Sequence, residues 1–452
     1  MVLLNSRKDE AEETMAALPR SARIRTIQVT ALVLLVLSGV VNYIDRATLA
    51  VANPLISEDL GFSPSEMGLL LSAFLWAYAF AQLPAGALVD RLGPRLMLSL
   101  SLGLWSLAQA LGGLVQGFTQ FFAIRMVLGV GEAPQFPTSA RIVRDWFNVR
   151  LRGTATGIWN CSSTLGTAIS APVLTFLMLS FGWRWMFAIM GIFGLAVAIA
   201  FYALHRNPAE VRLTEEERRY LTEGDAATSG GGVTWAEWKR LFGFRTTWGM
   251  IFGFFGVIYV TWIYNSWLPV YLEQDRHLSI ASTGIVAAIP FLCGVVGSIL
   301  GGRLNDWLVT RGLSPMNSRK YPMAGAMVAT AGFTTLAALT PSIIIAVGAI
   351  SISLFLLYIA STSAWAMAPV AAPANTTASL GAMQNFGGYV GGALAPMVTG
   401  FILQGTGSFT FALLVGAAVA LVAAVGYVII VRDPIPASGA AAFAGTDLPA
   451  AA

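Results

Sequence analysis

Apolar residues fill this chain in long runs rather than in alternating or one-sided stripes. Twelve such runs fall at about 27–50, 65–88, 95–115, 119–140, 153–180, 184–205, 247–271, 279–302, 321–340, 342–366, 376–404 and 408–431. A helix needs about 20 apolar residues to cross the ~30 Å hydrocarbon layer of a bilayer. The pattern therefore predicts an all-α membrane protein with twelve spans. Polar sequence is confined to short loops, a tail at 1–26, a central loop at 206–246 and a tail at 433–452. The central loop divides the chain into six spans over 27–205 and six over 247–432. The first apolar run has no small-residue cleavage site and reads as an uncleaved helix.

The loops test this count. Positive residues concentrate in the cytoplasmic loops of membrane proteins. With twelve spans and both termini on one side, only Arg184 and Arg276 of the 27 Lys and Arg residues fall on the opposite side, while Arg46 and Arg125 lie within spans. The orientation so predicted has both termini cytoplasmic. In the central loop, Thr214 and Glu217 are spaced as a capping box for a short surface helix, followed by a Gly-rich link at Gly230–Gly232. The Ala/Pro/Gly-rich tail after Asp433 predicts disorder.

The two halves also repeat. Gly166 to Pro172 in span five is similar to Gly391 to Pro396 in span eleven, and one separation links both Pro172 to Pro396 and Phe187 to Phe411. Asp90 and Asp306 follow spans two and eight. Repeated halves joined by a loop are how transporters place a binding site at mid-membrane between two bundles.

Composition agrees. The chain is 56% hydrophobic and 11% charged, against about 25% charged in soluble domains, and topology accounts for the net charge of +4. Cys161 and Cys293, both inside apolar runs, are too few for a disulfide framework. No metal-ligand cluster, phosphate loop, nucleophile triad or nucleic-acid motif stands out, so no metal, cofactor or nucleic-acid partner is expected. His205 and His277 read as bystanders. What the spans do hold is two bases and two acids: Asp45-Arg46 in span one, and Arg125 with Glu132 two turns apart on one face of span four. A charge at membrane depth costs at least ~2.5–3.5 kcal/mol, so it usually faces a pathway or a partner. Two structural salt bridges are the bland reading.

Gly86-Ala-Leu-Val-Asp90-Arg91-Leu-Gly93-Pro-Arg95 resembles the signature loop of the major facilitator superfamily, with a degenerate copy at Gly302-Arg303-Leu-Asn-Asp306. Within it, Asn42-Tyr43-Ile44-Asp45-Arg46 and Arg125 with Gly129, Glu132 and Pro137 are similar to the anion:cation symporter family, as are Trp365, Asn385-Phe386-Gly387-Gly388 and Ala395-Pro396. The resemblance implies two pseudo-symmetric six-helix bundles in a bacterial inner membrane, exposing a central site alternately to each side. It also implies substrate binding by Arg46 and Arg125 and proton coupling by Asp45 and Glu132. Relatives that carry glutamate have a further arginine in the seventh helix, where this chain reads Tyr259 to Trp267 with none.

The expected function is proton-coupled import of a small organic anion, most simply a sugar acid, by a monomer embedded in lipid. Tyr43 and Tyr78 join the candidate substrate site. Asn160, Asn265 and Asn385 are candidates for either that site or hydrogen bonding between helices, and Trp365 for either the site or the interfacial belt. Asp90, Arg91, Arg95 and Asp306 are expected to form a conformational latch. Anion exchange is the alternative within transport, and aromatic acids, dicarboxylates or small sulfonates would also satisfy the arginines. A receptor would need an output domain, and an enzyme a reactive constellation; neither is visible.

Overall fold

The computed structural model describes residues 20–223, 235–372 and 376–436. The link at Gly230–Gly232, the tail before residue 20 and the tail from 437 lie outside the described residues. The spans, numbered one to twelve in chain order, are Ala22–Leu60, Pro64–Leu92, Pro94–Leu111, Phe118–Glu132 resuming as Gln135–Trp146, Val149–Phe181, Trp183–Leu204, Arg245–Val270, Ile280–Val286 resuming as Ala288–Thr310, Asn317–Leu339, Ile343–Trp365, Thr377–Thr406 and Phe409–Ile430. Among the described residues, ten of these are long and apolar enough to cross a membrane. The other two are span two, at 29 residues, and span four, which a turn at Ala133-Pro134 divides.

Local chemistry sets the ends. Ser21 caps span one by accepting from the Ile24 N–H, and Gly61 ends it at φ 70°, a left-handed conformation that only glycine adopts at little cost. Pro64 and a Ser63–Glu66 capping box then start span two. Span one is expected at 27–50 but runs for 39 residues, through Pro54, because its caps lie outside the apolar run. In the central segment the expected capping box on Thr214 opens a helix at Glu215–Thr222. Ser21 donates to Glu217 at 2.9 Å and Arg23 to the Arg212 carbonyl at 2.9 Å, fastening this helix to the start of span one. The backbone N–H of Thr214 and the Ser21 hydroxyl hold the Glu217 carboxyl below its ordinary pKa. A further short helix, Trp235–Leu241, precedes span seven.

The two halves share one packing plan. Span one lies on five, three on six and two on four; in the second half seven lies on eleven, nine on twelve and eight on ten. Across the interface, span two packs on eleven and span five on eight, pairs that the same symmetry exchanges. Close approaches between halves gather toward the face away from the termini. There a Cβ on Gly68 would lie 2.7 Å from the Pro396 carbonyl, one on Gly400 2.5 Å from the Pro64 carbonyl, and one on Gly284 2.5 Å from the Thr175 hydroxyl. On that face Arg184 is paired with Asp59, and Arg276 with Asp275 at 3.4 Å, so both positive residues that the charge pattern places there have an acid beside them.

Within the first half, Gly129 of span four lets span two come close. A Cβ there would meet the Phe74 carbonyl oxygen at 2.3 Å, a backbone atom that cannot swing aside. Gly129→Val should therefore destabilise the fold by about 1–3 kcal/mol. Gly103, with nothing within 4 Å of its would-be Cβ, is the control: Gly103→Ala should leave stability unchanged or raised. Thermal unfolding of the purified proteins checks both.

Candidate functional site

Span one carries Asn42, Tyr43, Asp45 and Arg46 past mid-length, and span four brings Arg125 and Glu132 to the same depth. Asp45 and Glu132 are fully buried, Arg125 nearly so, and Arg46 is 8% exposed. The close seat follows from small residues: Gly166 of span five lies against Tyr43 and Val40, and Gly131 of span four against Trp105 of span three.

The structure pairs the charges across helices. Arg46 Nε donates to Glu132 Oε2 at 2.7 Å. The Arg46 guanidinium also lies 4.9, 5.2 and 4.8 Å from the ring centroids of Tyr43, Phe74 and Tyr78. Arg125 lies 5.1 Å from the same Phe74 ring and donates through Nε to the Leu70 carbonyl at 3.4 Å. Two cations thus share the Phe74 ring, whose π-face attracts them, with Glu132 as the paired anion. Asp45 sits near Glu132, Arg125 and the Trp105 indole, yet neither carboxylate oxygen has an aligned hydrogen-bond donor.

Several buried polar atoms here have no protein partner: Arg46 Nη2, Arg125 Nη1, Glu132 Oε1 and both side-chain atoms of Asn42. Buried polar groups are normally satisfied. A constellation with two guanidinium donors to spare, floored by rings, is suited to a small anion with a carboxylate or comparable oxyanion.

From the second half come neutral groups. Tyr389 of span eleven packs on Tyr78 with ring centroids 4.9 Å apart and planes inclined at 50°, and it feels the Arg46 charge. Tyr358 of span ten lies near Tyr43 with its ring on Gly294. Asn265 is half-buried with Oδ1 unpartnered, and Asn385, one turn before Tyr389, is half-buried. Asn160 is exposed, its carbonyl accepting from Ser163, and no described contact joins it to the charges. Trp365 is 48% exposed at the far end of span ten and packs edge-on against Phe254. Neither is brought to the cluster.

The signature loop has its own contacts. Arg95 donates to the Tyr202 carbonyl at 3.0 and 2.8 Å and to Glu210 at 2.9 Å, and its N–H to Asn207. These partners lie at the end of span six and in the central segment directly after it. Arg91 is exposed, and the side chain of Asp90 lies outside the described residues. Asp306 is 83% exposed, with Arg319 at 3.9 Å.

Sequence reasoning passed over Phe74, Tyr358, Tyr389 and Trp105. Tyr389 could have been found, four residues after Asn385 and so on the same helix face. Phe74 could not, because a phenylalanine in an apolar span carries no signal of the cations on its ring.

A profile of the Major Facilitator Superfamily matches residues 35–396. The chain is 44% identical to a "Probable L-galactonate transporter" of Escherichia coli (strain K12), over 92% of each chain. It is 34% identical to a "Probable galactarate/D-glucarate transporter" of the same organism, over 87% of this chain and 92% of the relative. Among solved structures it is similar in fold, at a TM-score of 0.73 and 20% identity, to a bacterial homologue of the human lysosomal transporter Spinster, with 91% and 96% of the two chains covered. The chain is thus a multi-pass integral membrane protein that belongs to the Major Facilitator Superfamily and, within it, to the family of these transporters.

Proposed function

We propose that this protein imports a monocarboxylate sugar acid, an aldonate, together with protons, and works as a monomer in a bacterial inner membrane with both termini cytoplasmic. The observation that carries the reading is the ring-floored Arg46–Glu132 pair, with Arg125 sharing the ring and Asp45 unpartnered beside it. The relatives' names supply the substrate class. The charge pattern of the loops supports the orientation.

Charge counting gives the coupling. Asp45, Arg46, Arg125 and Glu132 sum to zero when ionised. A bound carboxylate makes the cluster negative where uncompensated charge is heavily penalised, and protonating one acid restores neutrality. Glu132 is the acid that must respond, because the substrate competes for its own partner, Arg46. Asp45 is the second proton site. The close packing away from the termini supports a state in which the outer side is closed.

The neutral second half narrows the substrate. The hydroxylated end of an aldonate meets Tyr358, Tyr389, Asn265 and Asn385, none of which is a cation. Aldarates carry a second carboxylate that would lack one. An aldonate should therefore compete for labelled-substrate uptake at least tenfold more strongly than the aldarate of the same carbon skeleton, a difference of about 1.4 kcal/mol. Equal competition would show that Arg125 accepts the second carboxylate.

Arg46→Lys keeps the charge but loses the planar fork that can hold Glu132 and a carboxylate together. Uptake should fall by roughly an order of magnitude or more, the loss of charge-assisted hydrogen bonds. Near wild-type apparent affinity would rule out direct contact.

Glu132→Gln mimics the protonated acid. In reconstituted vesicles it should exchange labelled for unlabelled substrate but fail to accumulate it under an inward proton gradient. Accumulation by this variant would move the coupling role to Asp45. Wild-type uptake indifferent to the gradient would make the protein an anion exchanger.

A further inference from the structure

A second basic site lies on the face that carries the termini. The end of span four, the start of span five and the central segment enclose a cleft of about 460 Å³ into which Arg144, Arg152 and Arg218 converge over Leu213 and Leu221. The lining acid, Asp145, is engaged by Arg141, whose Nε lies 2.9 and 3.0 Å from its two oxygens. Arg144 and Arg218 have no carboxylate within salt-bridge distance among the described residues.

The cleft is built. Arg152 donates to the carbonyls of Phe147 at 2.9 Å and Arg144 at 3.1 Å, so its guanidinium is fixed against the C-terminal end of the span-four helix. Arg218 projects from the helix Glu215–Thr222, which the Thr214 capping box and the Ser21–Glu217 bond hold in place. Asp145 also feels Arg144 and Arg152, but one carboxylate among Arg141, Arg144, Arg152 and Arg218 leaves the positive charge in excess, and like charges held by two anchored elements repel unless a further anion joins them. Guanidiniums match phosphate oxygens through paired N–H donors. The volume is that of a small-molecule site, larger than a bare phosphate needs, and the leucines give the excess space an apolar wall.

We propose that this cleft binds a phosphate ester, its oxygens on Arg144, Arg152 and Arg218 and its organic part against Leu213 and Leu221. The cleft opens at the level where a span meets its loop, so the ester is either the headgroup of an anionic phospholipid or a soluble phosphate compound. The site is independent of the transport cluster.

The test compares the full-length protein with Arg144→Gln/Arg218→Gln, and with the charge-keeping Arg144→Lys/Arg218→Lys. One arm delipidates the proteins, adds phosphatidylglycerol or phosphatidylcholine, and reads retained lipid by native mass spectrometry. The other measures the shift in thermal unfolding caused by glycerol phosphate against chloride at equal ionic strength. The glutamine pair should weaken binding roughly tenfold, and the lysine pair should recover part of it. Loss of phosphatidylglycerol retention assigns the site to lipid; loss of the glycerol phosphate shift alone assigns it to a soluble ester. Because the lysine pair keeps the charge, its recovery separates lost binding from lost folding. Binding of both probes that is unchanged in the glutamine pair, or absent from the wild type, overturns the proposal.

Discussion

Everything in this fold that bears on chemistry depends on keeping two guanidiniums and two carboxylates inside a membrane protein at no net charge. An isolated ion there is expensive, and a buried pair barely offsets its own desolvation. The Arg46–Glu132 hydrogen bond answers for two of the four charges. The Phe74 ring, shared by Arg46 and Arg125, supports the cations without adding an anion. A third carboxylate in place of that ring would leave the cluster with one uncompensated negative charge, which the low-dielectric interior penalises.

The second constraint is symmetry. The two halves repeat the same helix contacts and the same glycine seats: Gly166 lies against Val40 and Tyr43 in one half, Gly391 against Phe255 in the other. Their chemistry is unequal. All the intramembrane charges of the cluster stand on spans one and four, whereas spans ten and eleven present Tyr358 and Tyr389. A repeated scaffold thus carries its buried charges on one half and faces them with neutral rings from the other.

Much of this was legible in the sequence. Apolar run length and loop charge gave the helix count and the common side of the termini, because bilayer thickness and the positive-inside bias act on composition rather than on contacts. The four charges announced themselves by being where charges are costly. Their pairing did not: Arg46 follows Asp45 in the chain and Arg125 shares a face with Glu132, yet the bond forms between spans one and four. Helix rotation and the close approach at Gly129 and Gly131 decide that, and periodicity within one helix carries no information about its neighbour's azimuth. Trp365 and Asn160 show the reverse case, residues singled out by motif or polarity that the fold leaves away from the cluster.

Span two is what joins the charged cluster to the interface between the halves. Its residues Phe74 and Tyr78 contact Arg46, and one turn of it is clasped by Gly129 of span four. The same helix meets the other half through the tilted Tyr78–Tyr389 ring contact, through Ser72, which donates to the Ala393 carbonyl at 2.7 Å, and through Gly68 against Pro396. Any displacement of the Arg46 guanidinium from Glu132 must be taken up on the rings that hold it. Those rings stand on the helix that seals one side of the molecule. Packed interiors respond to such shifts by switching between discrete arrangements rather than by yielding gradually. A rearrangement at the cluster would therefore reach the contacts with the other half through this one helix.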